Sequence, residues 1–344
     1  MTWAPLLLAD PSPCLRWRVL SELLARSPDD PEVAELKGMR ATDPIVVDLL
    51  ALQQPDGSWK NVDLSGIATV SSLQATSQAL MRLGYLGFGP DLPAVARGAG
   101  YLFDRQQVDG SWPLPETRQE SEEHAGYAMI PLQTALPLRG LAVCGYSTDP
   151  RAERAYDWLL AQLLPDGAWP TGWASGVHGF VAGYRRLAHS RWGCRSNTTG
   201  ALSCLAHHPQ RRTSPEARRA LDLLLGRDTR EQYGFGFEVA RLLGAERLQG
   251  FITYFARFDL AQMLDLCWRV GASIEDERIA GMVNFVRSLQ GAYGLWEYTN
   301  RPQVSRWVTS DLLRSLSHLD EGSDWFSAEP STPFKAYFKK PKRY

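Results

Sequence analysis

The chain has 344 residues, 44% hydrophobic and 22% charged, the balance of a soluble globular protein with a sizeable core, which excludes disorder and fibrous structure. Its 37 basic and 38 acidic residues leave a net charge of −1, so no global field exists to hold a nucleic-acid backbone, and nucleic acid is not expected as a partner. Trp is as frequent as Phe, at twelve each, and that surplus of indole needs a cause. The cysteines Cys14, Cys144, Cys194, Cys204 and Cys267 lie far apart with no Cys-x-x-Cys pair, as in a reducing compartment. The first residues carry no basic stretch, and no apolar run approaches the roughly 20 residues that span a bilayer. A cytoplasmic location is therefore expected.

Taken in chain order, apolar residues recur with helical period. A helix opening at Ser12-Pro13 and reaching residue 24 is followed by helices over 29–36 and 43–52. Apolar stretches at 70–83, 130–143, 199–205 and 260–270 each precede a second helix. These second helices start at Asp91-Leu92-Pro93, Asp149-Pro150, Thr213-Ser214-Pro215 and Ser273-Ile274-Glu275, mostly a polar cap with proline near the first turn. A last stretch covers 308–319. The total is about six helix pairs with essentially no strand pattern, hence an all-α fold.

A repeat joins these pairs. Gln53-Gln54-Pro55-Asp56-Gly57-Ser58-Trp59 returns as Gln106-Gln107-Val108-Asp109-Gly110-Ser111-Trp112 and as Leu163-Leu164-Pro165-Asp166-Gly167-Ala168-Trp169, its glycines 53 and then 57 residues apart. A weaker copy, Gln290 to Trp296, places Gly294 127 residues beyond Gly167 and leaves room for one degenerate copy near Leu223 to Asp228. Asp-Gly is a strong turn dipeptide, so each copy reads as a helix end, a turn, and a Trp folding back over that end. The Gln is placed to bond free groups there.

Arg97-Gly98-x-x-Tyr101-Leu102-x-x-x-Gln106-x-x-x-Gly110-x-Trp112 resembles the QW repeat of squalene and oxidosqualene cyclases at every consensus position. The copy ending at Trp169 has Leu163 in place of Gln. The first copy has Pro44 and Asp48 at the basic and aromatic positions, and the last has Gly281 at the basic one. The resemblance implies an α/α toroid over residues 1–325, with inner helices around a central cavity and outer helices around them, and a separate Pro-rich then basic tail at 326–344. In that family the QW turns brace outer helices, so they report the fold rather than the reaction.

The acid motif of the family, Asp-x-Asp-Asp, does not occur, nor does the Asp-Asp-x-x-Asp spacing that holds Mg²⁺ for diphosphate ionisation. Asp29-Asp30-Pro31-Glu32 reads as a capping cluster. Asp265-Leu266-Cys267 with His318 resembles the zinc ligands of protein prenyltransferases, but residues two apart on a helix point about 200° apart, which disfavours a shared metal. Cys194, Cys204, His207 and His208 form a second metal candidate, but a buried Cys and a surface His pair before Pro209 explain it without a metal, and that reading is preferred. No metal or other cofactor is assigned, with Mg²⁺ or Zn²⁺ as minor alternatives.

Chemistry is instead expected at the starts of the inner helices, which in a toroid face one mouth. Asp259, His124, Glu123 and Asp311 are the candidate catalytic residues, a carboxyl raised by an apolar cavity being able to protonate an alkene. Tyr127, Trp173, Phe180, Trp192, Tyr254, Phe258 and Trp307 are the candidate substrate-binding aromatics, whose faces stabilise cations. The Gly-rich segment 169–192 is expected as an irregular loop, either a lid over the cavity or a structural insertion packing its rim. Five basic residues between Lys335 and Tyr344 read as a solvated tail or as a segment for peripheral contact with an anionic membrane or a partner protein. The resemblance thus implies an enzyme that takes a hydrophobic isoprenoid chain in an aromatic-lined cavity and cyclises it from a carboxylic acid. The alternative is a non-catalytic toroid that binds a hydrophobic ligand or a protein.

Overall fold

The computed structural model describes residues 4–60, 71–112, 127–174, 177–179, 186–226, 234–247, 254–255, 257–291 and 293–325. His124, Glu123, Phe180 and the basic tail lie outside them, as do the side chains of Tyr127 and Trp173.

The chain opens with α1 (Ala4–Leu8), α2 (Pro13–Arg18, continued as a π-turn through Leu23), α3 (Pro31–Met39) and α4 (Pro44–Ala51). Inner and outer helices then alternate: α5 (Ser72–Tyr85) and α6 (Pro93–Phe103), α7 (Pro131–Leu141) and α8 (Pro150–Ala161), α9 (Arg195–Ala206) and α10 (Pro215–Leu225). A short α11 (Phe237–Leu242) precedes the pair α12 (Leu260–Arg269) and α13 (Glu277–Ser288), and α14 (Ser305–Leu319) is the last described helix. Helices α2, α3, α4, α8 and α10 each begin at a Pro whose preceding Ser or Asp accepts a backbone N–H of the first turn. Proline there supplies a helical φ and removes an N–H that would have no partner. Asp276, rather than Ser273, caps α13.

Outer helices show one apolar stripe. In α10, Ala217, Ala220, Leu221, Leu224 and Leu225 are buried, the i, i+3, i+4, i+7, i+8 pattern of a helix packed on one side. The inner helices α7 and α9 are enclosed on all sides, every residue of both being buried. The inner helices α5, α7, α9, α12 and α14 pack in sequence, and α14 closes the ring against α2 and α1. The architecture is an α/α toroid in which four inner–outer pairs are described, the fifth inner helix α14 packing on α1.

Each QW turn welds three helices. The indole Nε1 of Trp59, Trp112, Trp169 and Trp296 donates to the carbonyl ten residues earlier, those of Leu49, Leu102, Leu159 and Val286, at 2.7–2.8 Å. The backbone N–H of each Trp donates to a Thr hydroxyl on the next inner helix: Thr76, Thr134, Thr198 and Thr309. The amide nitrogens of Gln53 and Gln106 reach Ala94 and Arg151 at the start of the following outer helix. Gly57, Gly110 and Gly167 have φ of 87°, 93° and 93°. A Cβ on Gly57 or Gly110 would strike the backbone of Arg97 or Arg154 on that helix.

One expectation is corrected. The segment 169–192 is not wholly irregular: β1 (Tyr127–Met129), β2 (Gly172–Ala174) and β3 (Val177–Gly179) form a small antiparallel sheet in the order β1-β2-β3. The expected degenerate QW copy near Leu223 to Asp228 lies partly outside the described residues, and beyond it α11 enters the middle of the ring. There α11 touches α5 and α14, and its Glu238 pairs with Arg139 of α7.

Candidate functional site

A central cavity of about 210 Å³ lies inside the ring, and α2, α5, α7, α11, α12 and α14 all contribute to its wall. Eight charged residues stand in its lining, Arg18, Glu22, Arg139, Glu238, Asp265, Arg269, Asp311 and Arg314, among apolar ones such as Met81, Val143, Val239 and Leu242. Arg18 donates to Asp311 at 2.7 Å and to Glu22 at 3.2 Å. Arg314 donates to Glu22 at 2.6 Å and to Asp265 at 3.1 Å. Arg269 Nε donates to Asp265 at 2.8 Å, and Glu238 receives both Arg139 and Arg241.

These arginines decide the protonation of the acids. Burial opposes ionisation of Glu22, but Arg18 and Arg314 overcome it and hold the carboxyl at about 2. Burial is likewise outweighed at Asp265 by Arg269 and Arg314, and at Glu238 by Arg241 and Arg139, so both stay below the usual carboxylate range. His207, also on the wall, is driven well below its ordinary value by burial and then by Arg269 and Arg139, and is neutral. The aromatic faces are similarly committed. Arg18 covers Tyr85 at 4.2 Å, Arg241 covers Tyr254 at 3.8 Å, and Arg269 covers Trp268 at 4.5 Å from the ring centre.

The residues singled out from the sequence divide between this cavity and other places. Asp311 is on the cavity wall, bound to Arg18. Asp259 is not on it. Asp259 precedes α12, and its carboxylate accepts the backbone N–H of Gly236, Glu238 and Ala261, fastening α11 to α12. Burial pushes its carboxyl up to about 6, against the pull of the Glu238 and Gly236 amides. Phe258 lies beside it in a narrow space that also touches Phe255, Arg186 and Arg257. Tyr254 is buried, donates its hydroxyl to Met81 Sδ and gives its carbonyl to Arg241. Trp192 is half-buried, with Arg191 over its ring at 5.0 Å.

Trp307 marks a second pocket, of about 830 Å³, beside the closure of the ring. Pro11, Ile45, Leu243, Leu295, Val304 and Trp307 supply most of its wall. Asp10 and Arg306 meet on it at 3.1 Å, and Ser12 donates its hydroxyl to Asp43 on the same wall. Trp307 packs on Tyr85 with ring centres 5.9 Å apart, so the two pockets stand on either side of this aromatic pair.

The metal candidates are dispersed. Asp265 is engaged by Arg269 and Arg314, Cys267 is buried with its thiol pushed far up, and His318 stacks on Trp268 at 4.4 Å. His208 is buried rather than on the surface: its Nδ1 accepts the N–H of Gln210 and Arg211, and its Nε2 lies 2.8 Å from Glu153. Among the described residues no three His, Cys, Asp or Glu side chains converge as a metal site would require. The charged wall itself was not foreseen. Its residues come from six helices, and apart from Asp311 and Asp265 no motif singled any of them out.

Residues 30–186 match the family model of the squalene-hopene cyclase C-terminal domain. Over that stretch the chain is squalene-hopene cyclase-like. It contains the first three QW turns, whose glycines are Gly57, Gly110 and Gly167. Among solved structures, the chain is similar to the type II terpene cyclase MstE from Scytonema, with 16% identity and a TM-score of 0.46, covering 80% of this chain and 71% of that one. A variant of MstE in complex with geranylgeranyl dihydroxybenzoate as substrate gives 16% identity, a TM-score of 0.47 and coverage of 80% and 70%. A protein from Actinoplanes gives 14% identity, a TM-score of 0.43 and coverage of 80% and 72%. No curated protein sequence matches the chain significantly. Among the described residues no helix is long and apolar enough to cross a membrane.

Proposed function

We propose that this terpene-cyclase-like protein binds a hydrophobic isoprenoid chain in the apolar pocket beside Trp307, and that its central cavity does not initiate carbocation chemistry. The observation that carries this reading is the state of the central acids. A cyclising acid must hold a proton near neutral pH, whereas the carboxylates of Glu22, Glu238 and Asp265 are kept ionised by arginine. Size agrees: ligand pockets span roughly 300–1,000 Å³, which includes the pocket of about 830 Å³ and not the cavity of about 210 Å³. The isoprenoid class rests on the squalene-hopene cyclase match over residues 30–186.

The test is titration of the protein with geranylgeraniol and squalene, followed by tryptophan fluorescence. Saturable binding that Val304→Arg removes is expected; binding unchanged by that substitution overturns the placement.

One observation favours catalysis as a second reading: the buried Asp259 carboxyl, pushed up to about 6, is close to the range of a general acid. Incubation with squalene and with farnesyl and geranylgeranyl diphosphates, with and without Mg²⁺, distinguishes the two. Turnover abolished by Asp259→Asn in a protein that still melts cooperatively supports catalysis, and absence of any product supports binding alone.

A further inference from the structure

We propose that the central cavity is a binding site for a small oxyanion of the carboxylate or phosphate class, held by Arg269. The site is separate from the apolar pocket and does not depend on an isoprenoid being the ligand there.

The first ground is the charge of the wall. Four arginines and four carboxylates line the cavity, but the carboxylates are shared. Glu238 serves Arg139 and also Arg241, which stands behind the wall. Glu22 serves Arg18 and Arg314, and Asp265 serves Arg314 and Arg269. On the wall four guanidinium groups face four carboxylates, and behind it Arg241 is matched by the Asp259 carboxylate that binds the Glu238 amide. Because each of these three wall carboxylates is divided between two arginines, the guanidinium groups keep hydrogen-bonding capacity for an anion in the cavity.

The second ground is Arg269. Its Nε is used by Asp265, whereas its two terminal nitrogens make no hydrogen bond among the described residues. The side chain is held for use: Asp265 pins one edge and the Trp268 ring supports one face. A guanidinium with a free fork, fixed at its base and lining a cavity, fits the two oxygens of a carboxylate or phosphate. A cavity of about 210 Å³ admits a group of that size and not a long chain. The charged wall also disfavours an apolar occupant, which would strip water from eight ionised groups without replacing its hydrogen bonds.

The oxyanion can be a free molecule or the head of a larger one, and calorimetric titration separates these. Wild-type protein at low salt is titrated with inorganic phosphate, pyrophosphate, malonate and geranylgeranyl diphosphate. At least one of the first three is expected to bind saturably at one site, with affinity that falls as salt is added. Binding of geranylgeranyl diphosphate alone would reassign the oxyanion to the head of a prenyl ligand. Arg269→Gln should weaken the bound anion roughly tenfold or more, the loss of a charge-assisted bidentate contact. Arg269→Lys, which keeps the charge without the fork, should fall between the two. Arg306→Gln, in the other pocket, should change affinity less than about twofold, as expected for a distant independent site. No saturable binding by any of the four, or equal binding by Arg269→Gln, overturns the proposal. Failure of geranylgeraniol to bind leaves it standing, because that result concerns the apolar pocket only.

Discussion

The outer belt and the central cavity are made by the same alternation of helices and obey different rules. In the belt, four turns repeat one set of contacts: indole to the carbonyl ten residues back, and Trp amide to a Thr hydroxyl on the next inner helix. In the cavity nothing repeats. Arginines from α2, α7, α12 and α14 each meet a different set of carboxylates, and α11 enters the ring among them. A repeat therefore specifies scaffold, and function is written where the repeat lapses.

The contrast can be broken most directly in the belt. Trp112→Ala removes a buried indole and its bond to Leu102, and should cost about 3–5 kcal/mol in denaturant unfolding. An unchanged midpoint would mean that the turns do not hold the ring together. Glu238→Ala attacks the cavity instead. It strands Arg139 and Arg241 in the interior and should cost about 3 kcal/mol, with the addition of pyrophosphate recovering part of the loss if the cavity takes an anion. Gly110→Ala forces a Cβ onto a positive-φ position against the Arg154 backbone and should cost more than about 1 kcal/mol. Gly100→Ala, on the exposed side of the preceding helix with open space around its Cβ, should cost nothing measurable and is its control.

The smallest expected effect is in pH. Glu22 falls from an ordinary 4.5 to about 2 in the folded protein, so its contribution is complete above pH 4.5 and is lost as pH falls towards 2. Asp259 has the opposite sign. Its carboxyl rises from 3.8 to about 6 on folding, so it favours the fold at low pH and its contribution is lost as pH rises through that window. Thermal melts of Glu22→Gln should show a shallower acid limb than wild type, and those of Asp259→Asn should flatten the change between pH 4 and 6. Parallel curves for all three proteins would contradict the pairing described for the cavity.

Much of the belt was legible in the sequence because its signals are local. Asp-Gly turns, Ser-Pro and Asp-Pro caps and spaced Trp residues act within a few residues of one another, and the helix starts at Pro93, Pro150 and Pro215 fall where those signals place them. The Thr hydroxyls at 76, 134, 198 and 309 were not recognised, although they stand at matching positions near the starts of inner helices. Their partners are 13 to 29 residues away, beyond the reach of a local motif.

The tryptophan surplus is partly explained by the belt, since Trp59, Trp112, Trp169 and Trp296 are buried in its turns. Trp307 and Trp268 belong to the pockets, one walling the apolar space and the other supporting Arg269. The sequence by itself determined a helical toroid with QW turns, because repeated local geometry repeats in the letters. Only the tertiary structure decided that charged groups meet at the centre. Arg18, Arg139, Arg269 and Arg314 are separated by as many as 296 residues, and α7, which carries Arg139, is buried on every side and so has no amphipathic stripe to show which residues it turns inward.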